Sequence, residues 1–382
     1  MGFSQALSGV NAASSNLNVI GNNIANSATV GFKSSTTQFA DVYAGSKVGL
    51  GTKVSGVIQN FNAGNLETTD RNLDIAVSGT GFLTFNDNGS IVYSRNGQLT
   101  MTPEGYLTNA QGAKLVGTNG VIQVPSDGMV AKATTSVKES VNLNSGDDIK
   151  TAAFDPTNPD TYNYTNTANT YDSLGNMQKV SLYYVKTGVN TWQVHAAIDG
   201  VESASGAQTL NFTTNGTLTG YTETNFQFPM TNGSNNLDFS LNMTGTTQFG
   251  SDFNMNSMVQ DGYTNGTLVG ISVDPNGDIV GSYSNEQKNV LSTIQLANFK
   301  NPEGLKPLGD NVWAETSASG QALVGQAGVG QFGSIEAGVV EASNVDMTKE
   351  LVAMIIAQRA FQANAQTIKT QDEVLQQAVN LK

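Results

Sequence analysis

Residues 3 to 24 read FSQALSGVNAASSNLNVIGNNI, and this stretch decides the fold. Its apolar positions, Phe3, Ala6, Val10, Ala13, Leu17, Ile20 and Ile24, are spaced alternately three and four residues apart. A mean period of about 3.5 is the seam of a coiled coil, not the alternation of a strand. Small alanines at alternate seam positions let a partner helix approach closely. The other face offers Ser and Asn where an exposed helix usually carries charge. Gly21 and the pair Asn22-Asn23 weaken the last turn, and Gly31 ends any helical reading.

The opposite end supplies a second, longer seam: Leu351, Met354, Gln358, Phe361, Ala365, Ile368, Asp372, Leu375 and Val379. Ser343-Asn-Val-Asp346 has the spacing of a capping box, and Asp346 and Glu350 suit the positive end of a helix dipole. From about Asn344 to Val379, at about 1.5 Å per residue, this helix is expected to be roughly 50 Å long. One small domain cannot cover it. The two seams either close an intramolecular hairpin or serve self-assembly. Their unequal lengths and low outer charge favour assembly, because an exposed apolar stripe is an association surface.

Between the helices the chain reads as strand and turn. Leu73–Val77, Phe82–Phe85, Ile91–Tyr93 and Leu99–Met101 are separated by Gly- and Asn-rich turns, which is the pattern of an antiparallel meander. Leu268–Val273, Asp274-Pro-Asn-Gly277 and Ile279-Val280 predict a late hairpin. From about Asn144 to Gly262 the composition shifts toward Thr, Asn and Ser, with strand-like pieces at Val180–Val185, Trp192–Ile198 and Leu237–Met243. The expected fold is multidomain α+β with nested parts. Residues 1–26 and 339–382 form a terminal coiled-coil domain, and 27–70 an extended connecting segment. Residues 71–143 and 263–338 form an inner β-domain, and 144–262 an inserted outer one, both mainly antiparallel.

Charged residues are 13% of the 382-residue chain, about half of the usual ~25%. Counting glycine and leaving out tyrosine, the apolar share is about 46%, within the ordinary range. The core is therefore normal and the surface unusual, being polar but nearly uncharged. A net charge of −13 with three arginines, Arg71, Arg95 and Arg359, cannot form the basic stripe that nucleic acid needs. No cysteine is present, which removes disulfides and thiolate chemistry. The longest apolar run, Leu351–Ala357, is far short of the ~20 residues that span a bilayer, so no membrane insertion is expected. The first basic residue is Lys33, so a cleavable leader is not expected either.

No catalytic, cofactor or metal residues are expected. The lone His195 lies in a strand-like run and has no second histidine to complete a metal site or relay. No serine sits in a G-x-S-x-G elbow. Gly328-Val-Gly330-Gln-Phe-Gly333 matches a dinucleotide fingerprint, but a turn and strand follow it where a helix is required. Asn86-Asp-Asn-Gly89 and Asp274-Pro-Asn-Gly-Asp278 resemble the start of a calcium loop yet lack its closing glutamate, and read as tight β-turns. A paired-carboxylate hydrolase is not excluded by motif, but no pair is preferred.

Ser8 to Ser34 resembles the amino-terminal signature of the bacterial flagellar axial proteins of the rod and hook family, through Asn22, Asn23, Asn26, Gly31, Phe32 and Lys33. Glu341 to Asp372 resembles that family's carboxy-terminal signature, through Ser343, Asn344, Val345, Gln358 and Arg359. Ala44–Gly51, Tyr283–Gln287, Leu296–Phe299 and Gly309–Trp313 are similar to its hook members. The resemblance implies a structural subunit of a flagellar hook, a curved, flexible tube that joins rod to filament and transmits torque as a universal joint. It also implies extracellular placement after export through the flagellar type III apparatus. The implied partners are further copies of the chain, the distal rod, the hook cap, the hook-filament junction and the hook-length ruler. A distal rod protein of the same family, or a non-flagellar adhesin or lattice protein, are the alternatives. The long middle segment argues against a rod, and the matched helical ends against an adhesin.

Overall fold

The computed structural model describes residues 2–43, 49–221 and 223–380; residues 44–48 of the Ala44–Gly51 segment and the ends of the expected terminal domain, 1 and 381–382, lie outside them. The chain divides into two compact units, Met1–Ser126 with Gly270–Gly281 and Lys288–Lys382, and Asp127–Val269 with Ser282–Gln287.

The first unit carries both helices, α1 (Gly2–Ala25) and α2 (Met347–Asn380). Asp346 is the cap of α2: its Oδ1 accepts the backbone N–H groups of Thr348 at 3.0 Å and Lys349 at 3.1 Å. This corrects the assignment of the cap to Ser343, whose Oγ accepts only the N–H of Val345 at 3.4 Å. Aspartate two residues before the first free amides satisfies two orphan donors and places a negative charge at the helix's positive end. After α1 the chain turns at Gly31, with φ +71°. A Cβ there would lie 2.7 Å from the Asn96 nitrogen, so only glycine fits both the left-handed backbone and the close approach.

The connecting segment is not simply extended. It folds into an antiparallel hairpin of β1 (Ser35–Asp41) and β2 (Thr52–Gln59), with a register shift between Gln38 and Phe39. A two-stranded ribbon is marginal alone, and here it packs along α1. Beyond it, strands from both sides of the middle segment are knitted into one sheet. Phe82–Asp87 pairs with Ser90–Ser94, and Val312 and Trp313 pair with Ser94 and Tyr93 from the far end of the sequence. Phe61, Phe82, Tyr93, Phe299 and Trp313 meet edge-to-face at centroid distances of 4.8–6.0 Å. The expected turns are present: Gly89 N–H donates to Asn86 Oδ1 at 2.7 Å, and Gly277 N–H to Asp274 O at 2.8 Å. Gly328–Gly333 is a loop held by two backbone bonds, Gly328 N–H to Gly333 O at 3.0 Å and Phe332 N–H to Val329 O at 3.2 Å, followed by the strand Ser334–Ala337.

In the second unit a five-stranded and a six-stranded sheet enclose one core, in which Val137, Tyr184, Trp192, Phe226 and Phe239 are fully buried. Strand Ser136–Asn144 pairs in parallel with Leu237–Asn242 and Thr247–Phe249, and antiparallel with Asn254–Gln260. Its ladders draw it into this unit, so the division by packing falls earlier than residue 143. His195 lies on strand Thr191–Ile198, its ring stacked 4.0 Å from Phe154 and its Nδ1 2.6 Å from Glu202 Oε1.

Candidate assembly interface

Among its described residues α1 carries no charged side chain. What it offers a neighbour is shape, apolar area and amide hydrogen bonds. It runs antiparallel to α2: Asn23 Nδ2 donates to Glu350 Oε1 at 3.1 Å, and Gly9 lies against Asn364. In both contacts the residue numbers add to 373, so the start of α1 at Gly2 stands opposite Gln371. From Asp372 onward α2 continues beyond its partner, and nine residues to Asn380 project about 13 Å.

The seam residues divide accordingly. On α1, Ala6, Ala13 and Ile20 are buried, Val10, Leu17 and Ile24 half-buried, and Phe3, at the helix start, is 48% exposed. On α2, Met354, Phe361, Ala365 and Ile368 are half-buried. Leu351, Gln358 and Asp372 are exposed, as are Leu375 (59%) and Val379 (73%) on the projecting end. The column of α2 that interleaves with Met354, Phe361 and Ile368 is Glu350, Ala357, Asn364 and Gln371, one residue out of phase with the expected Leu351, Gln358, Ala365 and Asp372. Ala357 is its most buried member. Hydrophobicity could not reveal a column made of Glu, Ala, Asn and Gln.

Below the helices the signature residues form a polar bracket. Asn23 exchanges two bonds with the Ser35 backbone, at 2.8 and 2.9 Å. Asn26 Nδ2 reaches back to Asn22 O at 2.9 Å, and its Oδ1 accepts from Thr29 Oγ1 at 3.1 Å. Asn344 accepts from Ser34 N–H at 2.8 Å and donates to Asn60 O and Asn62 O at 2.8 and 3.0 Å. Phe32 is buried, Ser343 and Val345 are half-buried, and Gln358 and Arg359 are exposed on α2.

At the centre of the bracket lies a buried ionic cluster. Glu341 Oε1 is 2.6 Å from Lys33 Nζ, and Oε2 is 3.2 Å from Arg95 Nη1; all three side chains are within 4% of complete burial. Gly64 N–H also donates to Glu341 Oε1 at 2.8 Å, and Arg95 donates to Val77 O and Gly79 O. Burial pushes the pKa of Lys33 and of Arg95 down, against the Glu341 carboxylate, which raises both. The cluster joins three distant segments: the end of the first signature, the meander, and the strand Val339–Glu341 that leads into α2. Among the described residues no group of three or more His, Asp or Glu could hold a metal ion, and no helix is long and apolar enough to cross a membrane.

Comparison with known proteins fits this geometry piece by piece. Residues 4–33 match the family model described as flagella basal body rod protein, 76–142 the flagellar hook protein FlgE/F/G D1 domain, 142–263 the flagellar basal body protein FlaE D2 domain, and 336–381 the flagellar basal body rod FlgEFG protein C-terminal. The chain is 48% identical to the flagellar hook protein FlgE of Escherichia coli over 402 residues, covering 100% of both chains. The chain belongs to the flagellar hook protein family. The hook proteins of Salmonella typhimurium and Borreliella burgdorferi are 47% and 31% identical, over 100% and 98% of this chain. The crystal structure of Helicobacter pylori flagellar hook protein FlgE2 shares the fold, with a TM-score of 0.56 over 72% of this chain at 14% identity. The two hook signatures coincide with the helix pair and its bracket. What the signatures concealed was the acid: Glu341 stands at the head of the second signature, but its partners lie 308 and 246 residues away.

Proposed function

We propose that this chain is a hook subunit that works as a polymer, with no enzymatic role. Its terminal helices pack side by side in an inner layer, and its β-domains face outward. In this reading the parts are a helical domain at 1–26 and 339–382, a bracing segment at 27–70, an inner β-domain expected at 71–143 and 263–338 but ending by packing at Ser126 and resuming at Gly270, and an outer one between them. The observation that carries it is the α1 surface, which is long, uncharged and paired along only part of its partner. A head-to-tail contact whose rotation does not close generates a tube. Outer surfaces that are polar and nearly uncharged can slide past one another as the tube bends, because no buried ion pair has to be broken at a cost of several kcal/mol.

By family, the subunit leaves the cell through the flagellar export apparatus. It then meets the rod at one end of the hook, the junction with the filament at the other, and the hook cap and length ruler during growth. The seam from Phe3 to Ile24 and from Leu351 to Val379 holds the inner layer. Leu17→Asp or Ile368→Asp places a charge in that seam, and sedimentation is expected to show loss of polymer while the β-domains still melt cooperatively. Unaltered polymer from both variants would contradict the seam.

A further inference from the structure

Between α1 and α2, on one side of the pair, runs an open groove of about 380 Å³. Its floor is Gly9, Ala12 and Ala13 of α1 with Ala357 and Ala360 of α2, and Phe39 of the hairpin forms a wall. None of the groove's lining residues is charged. Small floor residues keep the groove deep enough for side chains of another helix to enter. Ile356 also lines the groove, and beside it α2 is apolar on a second face, with Leu351, Val352 and Ile355 between 47% and 52% exposed.

We infer that the groove receives the projecting end of α2, Asp372–Asn380, from a second copy of the chain, with Leu375 and Val379 as the inserted side chains. This rests on the polymer reading above. Three features select that occupant. Leu375 continues, at seven-residue spacing, the column Met354, Phe361, Ile368 that packs on α1 within the chain. It thus extends an existing interface instead of starting a new one. The projecting end is a single helix, so it can enter a groove between two others, making a three-helix contact; the Ile355 face sits on a helix already paired. Its acid on the inserted side, Asp372, accepts from Gln376 Nε2 at 3.0 Å, which partly masks the charge. Knob and hole lie at different heights on one molecule, roughly 18 residues or ~27 Å apart along the helix. The contact is therefore heterologous and repeats without closing.

The absence of cysteine makes the test direct. Chains carrying Ala360→Cys are mixed with chains carrying Leu375→Cys under assembly conditions and treated with a short bis-maleimide. A crosslinked heterodimer as the main product is expected, and Ala360→Trp, which fills the groove, should abolish polymer while leaving the monomer's circular dichroism unchanged. Preferential crosslinking of Ala360→Cys to Ile355→Cys, or normal polymer from Ala360→Trp, would overturn the docking while leaving the subunit reading intact. Failure of the unaltered chain to polymerise at all would overturn both.

Discussion

Lys33, Arg95 and Glu341 form a buried ionic cluster in the first unit. Two cations and one carboxylate are buried together, and the carboxylate's remaining capacity is met by a backbone N–H. Removing one member of such a cluster leaves uncompensated buried charge, at a cost of about 3–5 kcal/mol. Glu341→Ala is expected to destabilise the first unit by that amount in chemical denaturation, and a loss below about 1 kcal/mol would show that the cations relax to solvent. Lys33 was legible in the sequence as a signature residue but not as an ion-pair member, because periodicity reports neighbours along a helix or strand and not partners 308 residues away.

In the second unit Asp172 plays a comparable part without a cation. Burial pushes its carboxyl pKa up, but donors from Asn176, Asn232 and the Leu174 backbone outweigh this and hold it at about 2. A carboxyl with a folded pKa below its unfolded value adds stability above the unfolded value of 3.8, and that stability is lost as pH falls toward 2. The contribution is on the order of 2 kcal/mol at most. Thermal melts of the second unit should therefore fall between pH 4 and 2, and Asp172→Asn should flatten that part of the profile.

At the scale of elements, the 3.5-residue period found both helices; α1 ends at Ala25, ahead of the turn at Gly31, and Asp346 caps α2. The phase of α2 was legible in only one of its two columns. Met354, Phe361 and Ile368 are large and apolar, whereas Glu350, Ala357, Asn364 and Gln371 are recognisable only once α1 is laid against them. In residues 27–70, β2 alternates only between half-buried and exposed positions, and β1 departs from the period of two where the register shifts between Gln38 and Phe39. The helix pair buries mostly small side chains: Ala6, Ala12, Ala13 and Ile20 of α1 and, among the described residues of α2, only Ala357. Elements with few buried apolar side chains open locally at low free-energy cost. Hydrogen exchange in the dilute chain should show α1 and α2 exchanging far faster than the strand Phe82–Asp87, and strongly protected after polymerisation. Equal protection of helices and strands in the dilute monomer would mean that the pair is stable without neighbours.

For the whole molecule, the sequence told more about the surface than about the tertiary layout. Charge at 13% marked an exterior built from Asn, Thr, Ser, Gln and Gly, while the nesting of late strands into the early sheet rests on pairs such as Val312 with Ser94 that no local pattern encodes. That exterior suits contacts repeated between identical copies in slightly different registers, since Ser, Thr and Asn can exchange hydrogen bonds with one another or with water at small net cost. The bracket around Glu341 is where two cations and a carboxylate are buried together, in contrast to the sparsely charged surface around it. The most direct measurement of this account is electron microscopy of the purified chain under assembly conditions. It predicts curved tubes of uniform diameter; a field of dispersed monomers or shapeless aggregate, from protein whose β-domains are folded, would contradict it.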